Sequence, residues 1–241
     1  MKSYSITDVG NVRKVNQDYM FCSDTEQGKL PNLYIVADGM GGHKAGDYAS
    51  RECVSVMIES IKGNNEEITP ISILETAIRL ANKKIIEDSK NNFELEGMGT
   101  TVVAATVIGN VMYVANVGDS RLYLVNDDIR QITEDHSLVE EMVKRGDIER
   151  RDARFHPNKN IITRALGANE DLEIDFFEIE LDDKDMILMC TDGLTNMMDD
   201  DEIKDIVISD SDDCDAIVER LIRKANGYGG KDNITVVLVA R

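Results

Sequence analysis

The chain has 241 residues, 42% of them hydrophobic, no tryptophan, and a formal charge of -19 from 46 acidic against 27 basic residues. That length suits one large domain spanning 1–241 better than two. No apolar run approaches the ~18 residues of a membrane span, and strong acidity without a basic stripe argues against nucleic acid and leaves protein partners.

Met1-Lys2-Ser3-Tyr4-Ser5-Ile6 lacks the basic and apolar regions of a signal peptide, so a cytoplasmic protein without membrane insertion is expected. Residues 3–7 read as a short strand. The polar, turn-rich stretch after them carries Arg13, whose planar guanidinium matches two phosphate oxygens, and ends at Asp18 before a second strand, 19–22. Residues 33–37 form an apolar run bounded by turn residues, the pattern of a strand buried on both faces. It ends on Asp38, followed by Gly39, Gly41 and Gly42, which permit close backbone approach to a ligand. Ala49, Cys53, Met57 and Ile61 recur at helical spacing over 47–62. Pro70 suits the first turn of a second helix, carried by Leu74, Ala77, Ile78, Ala81 and Ile85.

From Thr100 the grain turns to β. Runs at 101–107, 111–117, 121–125 and 129–133 are joined by short turns and predict an antiparallel meander. Residues 134–160 are charge-rich, weakly periodic and too long for an ordinary connector, so a mobile flap subdomain is expected there. Strands follow around 174–181 and 186–190. A short helix begins after Met198, an amphipathic helix runs through Ile217, Val218, Leu221 and Ile222 to Gly227, and a last strand covers 234–240.

Five aspartates mark the ends of these strands: Asp18, Asp38, Asp119, Asp192 and Asp232. A fold that gathered those ends would place several carboxylates in one pocket, where their repulsion is relieved by cations. Three histidines without an H-E-x-x-H pattern give little support to zinc, and oxygen ligands favour magnesium or manganese. The four cysteines, Cys22, Cys53, Cys190 and Cys214, are scattered through apolar segments and read as reduced, structural thiols. No heptad pattern demands an oligomer, so a monomer is expected.

Eight short motifs, in chain order, complete the reading. They are Thr7-Asp8-x-Gly10-x-x-Arg13-x-x-Asn16-Gln17-Asp18, Asp38-Gly39-Met40-Gly41-Gly42-His43, Gly97-Met98-Gly99-Thr100-Thr101, Val117-Gly118-Asp119-Ser120-Arg121, Asp135-His136-Ser137, Thr163-Arg164-Ala165-Leu166-Gly167, Cys190-Thr191-Asp192-Gly193 and Asp232-Asn233-Ile234-Thr235. As an ordered set the chain resembles the metal-dependent PPM, or type 2C, protein serine/threonine phosphatases, in particular their small single-domain bacterial branch.

The resemblance implies an α+β, four-layer αββα sandwich of two antiparallel sheets flanked by helix pairs. It implies hydrolysis of phosphoserine and phosphothreonine in proteins by a water bridging two Mn2+ or Mg2+ ions. By the same resemblance Asp38 bridges the two core ions, the Gly39 carbonyl helps hold one, Asp192 and Asp232 complete the other, and Asp18 acts through water. Asp119, with Asp192, matches a weaker third metal position, and Arg13 matches the arginine that holds substrate phosphate. Phosphoprotein substrates and an antagonist serine/threonine kinase are the implied partners. Many eukaryotic members carry a histidine, the proposed general acid, where this chain has Met40. A thioether cannot donate a proton, and His43, three residues on, is an accessory candidate to which that role does not transfer.

Overall fold

The computed structural model describes residues 1–42, 45–64, 69–209 and 213–240. One sheet is built from β1 (Lys2–Asp8), β7 (Arg121–Val125), β8 (Ile129–Gln131), β10 (Met186–Cys190) and β11 (Ile234–Ala240), in the order β1-β11-β10-β7-β8. The other holds β2 (Asp18–Ser23), β3 (Leu33–Met40), β5 (Val102–Ile108), β6 (Val111–Val117) and β9 (Asp175–Glu180), in the order β2-β3-β5-β6-β9, with the short β4 (Gly99–Thr100) on the end of β3. Every strand pair is antiparallel.

The two-residue period of a strand explains why the central runs are apolar throughout. In β3, Tyr34 and Val36 point into a core shared with Val237, Val239, Ile187 and Met189 of the facing sheet. Leu33, Ile35 and Ala37 point the other way, against α1 (Ala45–Gly63) and α2 (Pro70–Asn91). The β1-β11-β10-β7-β8 sheet buries Leu188, Cys190, Val236 and Leu238 outward against α6 (Asp200–Val207) and α7 (Cys214–Gly227), with the short α5 (Asp192–Thr195) between. The layers are therefore helix, sheet, sheet, helix, as the resemblance implies.

Local signals place the helices. Thr69 caps α2 by accepting from the Ser72 N–H (3.2 Å), with Pro70 in the first turn. Asp199 and Glu202 form a reciprocal capping box at the start of α6. Cys53 and Cys190 are buried, Cys22 and Cys214 half-buried, and all four are free thiols.

Two expectations need correction. The meander does not run unbroken, because β6 pairs with β5 and β9 while β7 pairs with β8 and β10. The Gly118-Asp119-Ser120 turn carries the chain from one sheet to the other. Gly118 takes φ +110°, and a Cβ there would press on the side chain of Thr101, so only glycine fits this corner. Within the segment 134–160, where no helix is expected from the sequence, lie two short ones, α3 (Leu138–Arg145) and α4 (Arg150–Ala153). Ser137 caps α3 through the Glu140 N–H (3.3 Å), Gly146 closes it in the left-handed conformation, and a forked Arg150–Glu140 pair (2.6 and 2.8 Å) ties α4 to it.

Candidate metal centre

The fold brings the five aspartates to one end of the sandwich from both sheets. In the β2–β3 ladder Asp18 stands directly opposite Asp38, an arrangement that costs stability unless something offsets the like charges. The Asp38 backbone is fixed by the next strands: its N–H donates to Thr101 Oγ1 (3.0 Å), and its carbonyl accepts from the Thr101 N–H (2.9 Å) and Thr100 Oγ1 (2.9 Å). Gly39 follows in β3, and a Cβ there would collide with the Gly46 carbonyl at the start of α1. The glycine therefore lets the helix seat against the strand end.

Asp18 is buried and reaches across to the facing sheet. Its Oδ2 accepts from Thr191 Oγ1 (2.8 Å) and Thr235 Oγ1 (2.7 Å), while its Oδ1 has no hydrogen-bond partner. The hydroxyls favour the carboxylate, but burial outweighs them, and with Asp192 and Asp232 nearby the group is pushed up to about 7. Asp38 is pushed well above the carboxylate range by burial and then by Asp18, Asp192, Asp119 and Asp232. Asp192, in the first turn of α5, is raised to about 6 by burial and Asp232, against the pull of Lys159, Arg121 and Arg13. Asp119 is raised by burial, Asp192 and Asp135, and its Oδ1 is likewise buried without a partner.

Arg13, half exposed, sits at the rim and donates through Nη2 to Asp232 Oδ2 (2.8 Å). Its loop is pinned by Asn233, whose Oδ1 accepts from the Gln17 N–H (2.8 Å) and whose Nδ2 donates to the Val9 and Val15 carbonyls (2.9 and 3.0 Å). His43 lies outside the described residues. Asp18, Asp38, Asp119, Asp192, Asp232 and Arg13 thus converge, and Gly39 lies beside them.

Several supporting residues had no assigned role in the sequence reading. Thr191 and Thr235 orient Asp18, and Asn196, one helical turn after Asp192, donates to its Oδ2 (2.8 Å). His136 grips the corner that carries Asp119. Its Nδ1 accepts from the Gly118 N–H (3.0 Å), its own N–H donates to the Gly118 carbonyl (3.0 Å), and its Nε2 faces Asp175 Oδ2 (3.0 Å). An acceptor at Nδ1 puts the ring proton on Nε2, aimed at that carboxylate. Thr191, Thr235 and His136 were visible as neighbours within the motifs. Asn196 was detectable only through its i+4 spacing from Asp192 on a helix not yet assigned.

Crowded, desolvated carboxylates with two unsatisfied oxygens suit hard divalent cations. Among the described residues no three acidic, imidazole or thiol side chains close into a finished metal cage. Magnesium-like ions keep several waters and take one or two carboxylates each, so a site for them need not be a closed cage of side chains. A cation cluster with a guanidinium on its rim is suited to a phosphate ester, which defines the class as a metal-dependent phosphohydrolase. The protein phosphatase 2C family profile matches residues 11–238, and the chain belongs to that family.

The chain is 43% identical over 242 residues to the serine/threonine phosphatase stp of Listeria innocua, covering 98% of this chain and 94% of that one. Its fold superposes on serine/threonine phosphatase Stp1 from Staphylococcus aureus with a TM-score of 0.93 at 34% identity, covering 100% and 94% of the two chains. It also matches the catalytic domain of serine threonine protein phosphatase PstP in complex with two manganese ions, with a TM-score of 0.86, 31% identity, and 98% and 96% coverage.

Proposed function

We propose that the protein removes phosphate from phosphoserine and phosphothreonine in protein substrates, with two Mn2+ or Mg2+ ions held by Asp38, the Gly39 carbonyl, Asp192 and Asp232. Asp18 acts through an intervening water, and Asp119 with Asp192 offers a weaker third position. The observation that carries this reading is the Asp18–Asp38 cross-strand pair, with Asp119, Asp192 and Asp232 close enough to raise its protonation. When bound, the cations supply a water that is nucleophilic at neutral pH and offset charge on the phosphoryl oxygens.

The chain's own residues bind and orient. Arg13 offers its fork to the substrate phosphate, and its contact with Asp232 holds it at the rim. Thr191, Thr235 and Asn196 each satisfy one oxygen of an acidic ligand and leave the other for a cation or its waters. The residues 134–160 form a flap subdomain beside the site. All five aspartates belong to one chain, so a monomer suffices to hold the site. A serine/threonine kinase that modifies the same substrates is its antagonist, and the phosphatase acts in the cytoplasm. No helix of the described residues is long and apolar enough to cross a membrane.

The test is phosphate release from a phosphothreonine peptide, an aryl phosphate and a phosphodiester, in chelator and in manganese. Release from the two monoesters that requires manganese supports the proposal. Full activity in chelator, or a preference for the diester, contradicts it.

A further inference from the structure

A groove of about 630 Å3 opens off Asp119 and Asp192, with α4 and the chain after it on one side and the start of α6 on the other. Most cations along it already have carboxylate partners: Arg121 is held by Asp135, Arg150 by Glu140 and Arg151 by Glu149. Arg154 differs. Its guanidinium lies over the Phe155 ring (5.2 Å), and its buried Nη1 has no hydrogen-bond partner.

Lys159 lines the same groove and donates to the neutral Asn196 Oδ1 (2.7 Å). Its ammonium is pushed down by burial and by Lys231 and Arg154, with Asp192 opposing. Two under-compensated cations that repel each other inside a groove continuous with the reaction site are an arrangement that an anion relieves. The opposite wall presents Asp199, Asp200 and Asp201, which repel one. The anion therefore belongs on the α4 side.

We propose that Arg154 and Lys159 form a subsite for a second anionic side chain of the substrate, a phosphorylated or carboxylate residue flanking the phosphoresidue under attack. The proposal rests on the phosphatase reading of the aspartate cluster. It assigns the groove a role in choosing among phosphoproteins, with a guanidinium and an ammonium supplying charge-assisted hydrogen bonds to the flanking group.

The experiment is a peptide panel assayed with manganese. One phosphothreonine is flanked by neutral residues, and a glutamate or a second phosphothreonine is stepped one to four positions to either side, since each extended residue advances the chain by ~3.3 Å. The readout is the ratio of kcat/KM for a charged-flank peptide to that for the neutral-flank peptide in the same enzyme, so partial misfolding of a variant cancels. In the parent, at least one position should give a ratio of about ten, the size of a charge-assisted contact. Arg154→Gln should bring it close to one, Arg154→Lys should restore part of it, and Lys159→Gln should lower it. A gain from glutamate alone assigns a carboxylate subsite, and a larger gain from phosphothreonine assigns a phosphoryl one.

Equal ratios at all positions in the parent, or a gain that survives both Arg154→Gln and Lys159→Gln, would overturn the subsite. Manganese-dependent turnover of an aryl phosphate by the parent separates this failure from a failure of the phosphatase reading.

Discussion

Asp119 and Asp135 lie near each other at the same end of the β1-β11-β10-β7-β8 sheet, yet the fold treats them in opposite ways. Asp135 receives a forked contact from Arg121 (2.7 to 3.0 Å) and a hydrogen bond from Gln131 Nε2 (2.7 Å), and Arg121 also reaches the Tyr123 hydroxyl. Asp119 keeps a buried oxygen without a partner and faces further carboxylates. One aspartate is compensated and serves the architecture. The other is left crowded and without a partner for one oxygen, an arrangement that a bound cation would relieve.

The largest effects should separate these two kinds of aspartate. Asp38→Asn or Asp192→Asn should lower kcat/KM at least a thousandfold, or roughly 4 kcal/mol of transition-state stabilisation, while the fold is retained. Asp135→Asn strands the guanidinium of Arg121 and should cost about 3 kcal/mol of stability, with activity per folded molecule far less affected. Circular dichroism melts beside steady-state kinetics measure both, and the comparison fails if the two patterns are exchanged.

The next effect concerns the corner between the sheets. Asp119→Ala should leave two manganese ions bound but slow turnover, and His136→Ala should do the same by releasing Gly118. Because His136 acts through the position of Asp119, the double variant should be no slower than Asp119→Ala, within about twofold. Additive losses would show that His136 acts elsewhere.

A smaller effect is expected at the exposed rim. If Arg13 grips phosphate before the reaction, Arg13→Ala should raise KM more than it lowers kcat, by about tenfold in KM. The reverse split would assign Arg13 to the transition state.

The strands and helices were legible because each strand buried on both faces reads as a continuous apolar run, and each helix carries an apolar stripe with a cap or a breaking residue; their stacking into four layers came from the resemblance alone. Residues 33–37 and 186–190 are examples, as is the helix begun at Pro70. The aspartates were legible because each follows or precedes such a run. The topology around Gly118 was not, since a short glycine turn between two strands looks the same whether it closes a hairpin or changes sheets. Nor were α3 and α4: the apolar stripe of α3, Leu138, Val139, Met142 and Val143, lasts only two turns, and α4 is a single turn of mostly charged residues. The hydroxyl and amide partners of the acids depend on contacts such as Thr235 to Asp18, 217 residues apart, which no local pattern encodes.

Thermal stability against pH, with and without manganese, tests directly whether the crowded carboxylates are a cation site. In the cation-free protein Asp18 is raised to about 7 and Asp192 to about 6 from an ordinary 3.8. The folded state therefore holds these protons when the unfolded chain has released them. Their contribution to stability is full below about pH 4 and is lost as pH rises through 6 to 7. Manganese replaces the protons and should reverse that loss. The rise in Tm on adding manganese should be greater near pH 8 than near pH 5.5 by about 5 °C or more, and Asp38→Asn should remove most of the difference. An equal rise at both pH values, or one unchanged in Asp38→Asn, would contradict a cation site there.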